Sequence, residues 1–168
     1  MLEKGAKYMV VQGLPLLGCL PLSLYLAPEN DRDSMGCVAS ANQQAHSHNA
    51  LLQEKLEELR KLYPEAFISY ADFWNAHLAV MKKPAAYGIA ETLKTCCGAG
   101  GGPYNFQVFS TCGSPAVPEA CAEPAKFVNW DGVHFTEAMN KVAAHMFFHG
   151  GYCRPSFQLL LQSKRRGG

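Results

Sequence analysis

Short, mainly apolar runs of strand length alternate with helical segments in the first half of the chain, and this alternation limits the possible folds most strongly. Residues 8–11 and 66–71 are the strand-like runs, and residues 40–62 and 73–81 carry apolar side chains at helical spacing. A strand, helix, strand, helix order is typical of a parallel sheet covered by helices on both faces. The sequence therefore predicts a single α/β domain with strands buried on both faces.

Two details of the helices can be predicted from capping and periodicity. The longer helix is expected to use Ser40 as its N-cap and to end before Pro64. In the second helix, His77 is expected to face solvent or a polar rim. The apolar stripe predicted for the longer helix consists of Ala41, Ala45, Leu52, Leu56, Leu59 and Tyr63.

The segment from Tyr87 to Pro124 is interpreted as irregular, because it is rich in glycine and proline and shows no periodicity. We expect it to be a disulfide-stapled surface loop beside the ligand cleft.

Charge and composition exclude several classes of function. The 168 residues include 15 basic and 14 acidic side chains, for a net charge of +1, which gives no basic surface for nucleic acid. No stretch has the ~18 uninterrupted apolar residues of a membrane span. The glycine run at residues 98–102 has no following Gly-Lys-Ser or Gly-Lys-Thr, so a phosphate-binding loop is not predicted. No cofactor is expected.

The seven cysteines favour an oxidising compartment. Cys112, Cys121 and Cys153 stand in loop-like or chain-end segments, where cysteines seldom serve core packing. We expect up to three disulfides and one remaining thiol, with the pairing left open. The alternative is a reduced cytosolic protein with buried thiols.

The first 28 residues resemble a signal peptide in having a basic start and an apolar middle, but glycine and proline interrupt the apolar run. We therefore predict a buried strand followed by an ordered loop for this segment. Residues 2–6 are interpreted as the end of a helix with Gly5 as its C-cap. A helical unit of one turn does not stand alone, so we expect the domain to be incomplete at the N-terminus.

Asp131 and His134 form the candidate catalytic pair. They lie three residues apart, and an apolar helical segment follows at once. In a turn that leads into a helix, such a spacing lets the Asp carboxylate accept the imidazole Nδ1–H and leaves Nε2 free as a base. The alternative is that Asp131 serves only as a helix N-cap.

A base of this kind needs a nucleophile, and the sequence offers no convincing one. Cys19 lies in a proline-flanked loop. No serine lies in a Gly-x-Ser-x-Gly or Gly-Asp-Ser context, including Ser23, Ser34, Ser40, Ser47, Ser69, Ser110 and Ser114.

A different hypothesis is a metal site, because His145 and His149 are at i, i+4 on one helix and could join Asp131 and His134. No Glu separates the two histidines, and His149 is at the helix end, so no metal is predicted.

Seven short blocks in a fixed order resemble the C-terminal half of the plant-type GDSL esterase/lipases of the SGNH-hydrolase superfamily. The resemblance covers residues 4 to about 155, and the order of the blocks makes it specific although each block is loose. The blocks are residues 4–7 with 10–21, 48–52 (His-Asn-Ala-Leu-Leu), 70–72 (Tyr-Ala-Asp), 96–98 (Cys-Cys-Gly), 104–106 (Tyr-Asn-Phe), 112–113 (Cys-Gly) and 130–138 (Trp-Asp-Gly-Val-His-Phe-Thr-Glu-Ala).

The resemblance implies a flavodoxin-like three-layer α/β/α sandwich with a parallel sheet, and ester hydrolysis by a Ser/Asp/His triad. It implies that His134 is the general base and Asp131 its orienting carboxylate. The family's Gly-Asp-Ser nucleophile and oxyanion-hole blocks have no match here, so we expect them upstream of residue 1. The implied substrate is a small-molecule or lipid ester, and the implied location is the secretory pathway.

Residues 1–155 are accordingly expected to be the C-terminal part of one hydrolase domain, and residues 156–168 a basic tail. Without a nucleophile, the activity of these 168 residues alone is expected to be negligible. The alternative function is a catalytically inactive product or a non-catalytic interaction module. The sequence leaves the ester preference and the oligomeric state open.

Overall fold

The fold alternates strands and helices along the chain in a computed structural model that describes residues 1–117 and 119–166. The described residues also include four single-turn 3₁₀ helices, at Leu2–Lys4, Leu17–Cys19, Pro84–Tyr87 and Pro124–Lys126. The strands and helices in chain order are β1 (Tyr8–Gln12), α1 (Pro21–Leu26), α2 (Ala39–Leu62), β2 (Phe67–Ala71), α3 (Phe73–Lys82), β3 (Glu91–Thr95), β4 (Phe127–Asn129), α4 (Glu137–His149), β5 (Cys153–Arg154) and α5 (Phe157–Arg166).

Parallel pairing dominates the two sheets. β1 pairs with β2 from Tyr8 opposite Phe67 to Gln12 opposite Ala71, and the short β5 adds an antiparallel strand to β2. β3 and β4 form a second, parallel pair. The predicted α/β class with parallel strands is confirmed, but burial of β1 on both faces is wrong. Met9 and Val11 pack on a core cluster, whereas Val10 is 45% exposed, so only one face of β1 is covered in the described part of the chain.

β3 lies inside the segment that the sequence analysis interpreted as irregular. Its residues, Glu-Thr-Leu-Lys-Thr, include one large apolar side chain, so no apolar run reveals it. Leu93 packs against a cluster that contains Leu16 and the Cys19–Cys37 disulfide, and Thr95 is buried at the strand end. Tertiary contacts on one face therefore decide this strand, as is common for β-structure.

The buried face of α2 is partly polar, which the predicted apolar stripe missed. Asn42 and Asn49, seven residues apart, are both buried on it with Ala45 and Leu56. Asn42 Oδ1 accepts the Gly18 N–H at 2.8 Å, and Asn49 both accepts the Leu14 N–H at 2.7 Å and donates to the Leu14 carbonyl at 2.8 Å. These amides satisfy the backbone of the loop that follows β1 and fix its path.

The beginning of α2 also differs from the prediction. Val38 occupies the N-cap position, and Ser40 lies inside the first turn. The Asp31 carboxylate, nine residues earlier, accepts hydrogen bonds from the Ser40 N–H and hydroxyl. A distant carboxylate therefore satisfies an amide of the helix start, a role that capping by an adjacent side chain usually fills. At the start of the chain, Gly5 has φ 87° and caps the Leu2–Lys4 turn as predicted.

His77 lies in the core formed between α3, β4 and α4, so its predicted position at the surface is wrong. Its side chain is fully buried, and neither ring nitrogen has a hydrogen-bond partner among the described residues. Its ring packs edge-on against Phe135, with centroids 5.1 Å apart, and near Phe73. Burial lowers the pKa of His77 to about 3, because the apolar surroundings disfavour the imidazolium.

The segment expected to be a basic tail contains α5. Leu160 is buried, the rings of Phe157 and Phe148 have centroids 4.4 Å apart, and the Tyr8 hydroxyl donates to the Ser163 carbonyl at 3.3 Å. This helix therefore packs on the rest of the fold through its apolar side. No helix among residues 1–117 and 119–166 combines the length and apolarity that a bilayer-spanning segment requires.

Replacement of His77 by leucine should remove an acid sensitivity of the fold. The folded-state pKa of about 3 lies below the unfolded value of about 6.5, so the unfolded chain binds the proton first. Stability is then fully present above pH 6.5 and is lost as the pH falls toward 3. When the pH falls from 7.5 to 5.0, His77 should lower the free energy of unfolding by about 2 kcal/mol. Urea unfolding of wild type and His77→Leu at both pH values measures this difference. An equal pH dependence in the two proteins would contradict the prediction.

Candidate active site

Asp131 and His134 lie in a tight turn between β4 and α4, at the carboxyl ends of the parallel strands β3 and β4. Thr136 caps α4: its hydroxyl accepts the Met139 N–H at 3.1 Å and donates to the Phe127 carbonyl at 2.6 Å. Its own N–H donates to the Val128 carbonyl at 2.9 Å. The turn is thus anchored to β4 at the point where the helix begins, and ligand sites of open α/β sheets occupy this edge.

The Asp131 carboxylate organises the backbone of the turn. Its Oδ1 accepts the N–H groups of Val133 and His134, each at 2.7 Å. The Trp130 N–H donates to the His134 carbonyl at 2.8 Å and closes the turn. Asp side chains favour such turns because their oxygen mimics a backbone acceptor.

The second oxygen of Asp131 reaches the imidazole. His134 Nδ1 lies 2.9 Å from Asp131 Oδ2. With Nδ1–H donating to the carboxylate, Nε2 is left as a proton acceptor. The His134 side chain is 77% exposed and that of Asp131 24% exposed, so the imidazole faces outward while the carboxylate is largely buried. The structure brings the two predicted residues together in the geometry that their spacing indicated.

The hydrogen bonds of the turn favour the ionised form of Asp131. Partial burial raises the pKa of this carboxyl, but the hydrogen bonds from the His134 and Val133 N–H groups and from the imidazole together lower it below its usual value. An ionised Asp131 can stabilise an imidazolium on His134, which is what a base that gains a proton requires.

Two other segments are fixed against the turn. The Cys96 and Cys97 N–H groups, directly after β3, donate to the Asn129 and Trp130 carbonyls at 3.0 and 2.6 Å. Leu22, at the start of α1, donates its N–H to the Gly132 carbonyl at 3.1 Å. The loops after β1, β3 and β4 therefore meet at His134, where the parallel strands end.

The prediction of up to three disulfides and one remaining thiol is confirmed. The pairs are Cys19–Cys37, Cys96–Cys121 and Cys97–Cys112, and Cys153 is a buried free thiol. Two of the bridges tie residues 112 and 121 of the long loop to the end of β3. Cys19, whose loop was considered as a source of a nucleophile, is oxidised and cannot act as one.

Phe106 rests on Gly132, a contact that sequence reasoning missed. A Cβ atom at Gly132 would lie 2.2 Å from Phe106 Cε2, so only glycine lets the ring approach the turn this closely. Asn105, with φ 48°, positions the ring: its amide donates to the Thr95 carbonyl at 3.2 Å, and its carbonyl accepts the Thr95 hydroxyl at 2.6 Å. In the sequence, the glycine between Asp131 and His134 was the feature that could have indicated a close contact at this turn.

A pocket of about 290 Å³ opens beside His134. It is bounded by the Asp131–His134 turn on one side and by the long disulfide-bonded loop on the other. The residues that line it are Leu22, Cys97, Phe106, Val108, Ser110, Thr111, Cys112, Asp131, Gly132, Val133 and His134.

The other side chains considered from the sequence do not complete a catalytic or metal site here. Ser110 lines the pocket, but no serine hydroxyl of the described residues forms a hydrogen bond with His134. His145 and His149 lie beside each other on α4, with ring centroids 5.1 Å apart. Within the described ranges, no group of three or more His, Cys, Asp or Glu could hold a metal ion, so these histidines do not join Asp131 and His134.

Comparisons with known proteins agree on one family. The family model described as GDSL-like Lipase/Acylhydrolase matches residues 1–147. The "GDSL esterase/lipase At3g48460" of Arabidopsis thaliana is 57% identical over 98% of this chain and 42% of its own length. "Acetylajmalan esterase 2" of Rauvolfia serpentina is 40% identical over 84% of this chain and 38% of its own length. The chain thus spans about two fifths of the length of these relatives.

Gly132→Ala should destabilise the turn through the Phe106 ring. The added methyl group has no space, and overpacking of this kind costs about 1–3 kcal/mol. Urea unfolding of Gly132→Ala, Phe106→Ala and the double variant forms a cycle in which the penalty of the added methyl group should shrink once the ring is absent. Additive penalties in this cycle would show that the ring does not cause the requirement for glycine.

Proposed function

Because the chain belongs to the GDSL-like lipase/acylhydrolase family, we propose that it supplies the general base, His134, and the orienting carboxylate, Asp131, of a carboxylic-ester hydrolase. The observation that carries this proposal is the 2.9 Å contact between His134 Nδ1 and Asp131 Oδ2 in a turn that leaves Nε2 outward. The names of both relatives, an esterase/lipase and an esterase, describe ester hydrolysis by those proteins.

In the proposed reaction, Nε2 of His134 takes the proton of a serine hydroxyl while the serine oxygen attacks the ester carbonyl carbon. The resulting imidazolium gives this proton to the departing alkoxide as the ester C–O bond breaks and an acyl-enzyme remains. Water then repeats the two proton transfers and releases the acid. Asp131 stays ionised throughout, since hydrogen bonding lowers its pKa, and it stabilises the imidazolium.

The nucleophile and the oxyanion donors are proposed to come from a part of the protein that this sequence does not include. The 168 residues contain no Gly-Asp-Ser, and the relatives are more than twice as long as the stretch they share with this chain. A base that is 77% exposed has an open side on which such a segment can place its hydroxyl. Residues 1–155 would then be the C-terminal part of one hydrolase domain.

The proposed substrates are small-molecule or lipid esters, and the proposed location is the secretory pathway. Three disulfides in 168 residues suit an oxidising compartment, because the cytosol keeps thiols reduced.

His134→Ala and Asp131→Asn test the assignment in a longer protein that joins this chain to a Gly-Asp-Ser segment. His134→Ala should reduce kcat for p-nitrophenyl acetate by about 10⁶-fold, because the serine loses its base. Asp131→Asn should reduce kcat by about 10⁴-fold, because the amide favours the wrong tautomer of the imidazole. Initial rates under saturating substrate measure both effects.

His145→Ala is the matched control for this experiment. His145 is an exposed histidine on α4 and lies outside the pocket, so its replacement should leave kcat within about twofold of wild type, as for an ordinary surface change. A loss of less than about tenfold in His134→Ala, with the variant folded, would show that His134 is not the base.

The 168-residue chain by itself should hydrolyse ethyl acetate, an unactivated ester that a free imidazole does not cleave, no faster than buffer, since a base without a nucleophile has no hydroxyl to activate. This expectation also holds for the alternative function, a non-catalytic module. A rate above background that disappears in His134→Ala would contradict it and would place a nucleophile within these residues.

A further inference from the structure

We propose that the pocket beside His134 binds the apolar group of the ester substrate and that Val108 limits the size of that group. This inference rests on the proposed function, because it uses His134 to mark where the ester reacts. It adds a substrate class, namely esters that carry one compact or medium-length apolar group, and it names a residue that determines specificity.

The lining of the pocket selects apolar chemistry. Its walls include Leu22, Phe106, Val108, Val133 and the Cys97–Cys112 disulfide, and the uncharged hydroxyls of Ser110 and Thr111 are the remaining side chains outside the catalytic turn. No Lys, Arg or Glu of the described residues lines it. Among the described residues that line it, Asp131 is the charged group, and it is already hydrogen-bonded within its own turn. An anionic group of a substrate would therefore lose hydration without gaining a cationic partner, whereas burial of an alkyl or aryl group is favourable.

The pocket is held in shape before a substrate binds. The Cys97–Cys112 bridge ties the loop wall to the end of β3, and the Cys97 N–H donates to the Trp130 carbonyl beside Asp131 at 2.6 Å. Phe106 lies between Gly132 and the ring of Tyr25, with the two ring centroids 5.7 Å apart. Preformed apolar pockets of this kind are typical of small-molecule sites.

The size of the pocket limits the group. A volume of about 290 Å³ is at the lower end of ligand pockets. At about 30 Å³ for each water-sized group, it holds roughly ten non-hydrogen atoms. An octanoyl or octyl chain fits this volume, and a C16 chain exceeds it. Val108 belongs to the loop wall that faces the Asp131–His134 turn, so a larger side chain there reduces the volume directly.

The experiment uses a longer protein that joins this chain to a Gly-Asp-Ser segment, with two series of esters. The acyl series compares p-nitrophenyl acetate, octanoate and palmitate, and the alcohol series compares ethyl acetate with octyl acetate. Wild type should prefer octanoate over palmitate or octyl over ethyl acetate, and the series that responds identifies which side of the ester enters the pocket. In that series, Val108→Trp should lower the ratio of C8 to C2 kcat/KM by about tenfold or more.

Two further variants complete the test. Val108→Ala enlarges the pocket and should shift the preferred chain length upward by one or more carbons, which gives a readout if the tryptophan variant fails to fold. Leu51→Trp places the same side chain on α2 at a position that is 61% exposed and outside the pocket, and it should leave the chain-length ratio unchanged.

The outcomes separate this inference from the proposed function. Unchanged chain-length ratios in both series for Val108→Ala and Val108→Trp, with His134→Ala inactive, would overturn the pocket assignment alone and indicate that another segment of the protein fills the space. Full activity of His134→Ala would overturn the proposed function. A changed ratio in Val108→Ala, together with an inactive His134→Ala, supports both.

Discussion

The Asp131 carboxylate is the group on which the geometry of the site depends. One oxygen accepts hydrogen bonds from two backbone N–H groups and fixes the turn after β4. The other accepts a hydrogen bond from His134 Nδ1 at 2.9 Å. These three hydrogen bonds also lower the pKa of Asp131 and favour its charged form beside His134. A single side chain therefore sets the backbone conformation of the turn, the tautomer of the His134 imidazole and the charge beside it. This explains why a spacing of three residues is enough to predict the pair.

The rest of the fold brings other segments to this turn. Asn42 and Asn49 on α2 hold the loop after β1 by its backbone, and this loop leads to Leu22 beside Gly132. The Cys97–Cys112 bridge closes 15 residues of the long loop, a constraint worth about 3 kcal/mol in the chain-entropy account. At the carboxyl end of the strands, hydrogen bonds from buried side chains to loop backbone and disulfides thus hold the loops in place of an extensive apolar core. Segments that line a pocket there cannot all be buried.

The differences between expectation and structure have a common cause. β3 carries a single large apolar residue, so periodicity does not reveal it. Asn42 and Asn49 are polar residues on a buried helix face, and His77 is a titratable residue in an apolar core without hydrogen-bond partners among the described residues. In each case a long-range neighbour decides the environment: the Leu14–Gly18 loop for the asparagines, and Phe73 and Phe135 for the histidine. Hydropathy of a single residue contains no information about such neighbours.

The sequence by itself determined the alternation of strands and helices in the first half of the chain, the cap at Gly5, the number of disulfides and the pairing of Asp131 with His134. These features depend on residues close together in the chain or on composition, so local physics is sufficient. The tertiary structure alone decided which cysteines pair, that Phe106 packs on Gly132, and that three loops enclose an apolar pocket beside His134. Those features join residues far apart in the chain, and their contacts exist only after the strands have paired.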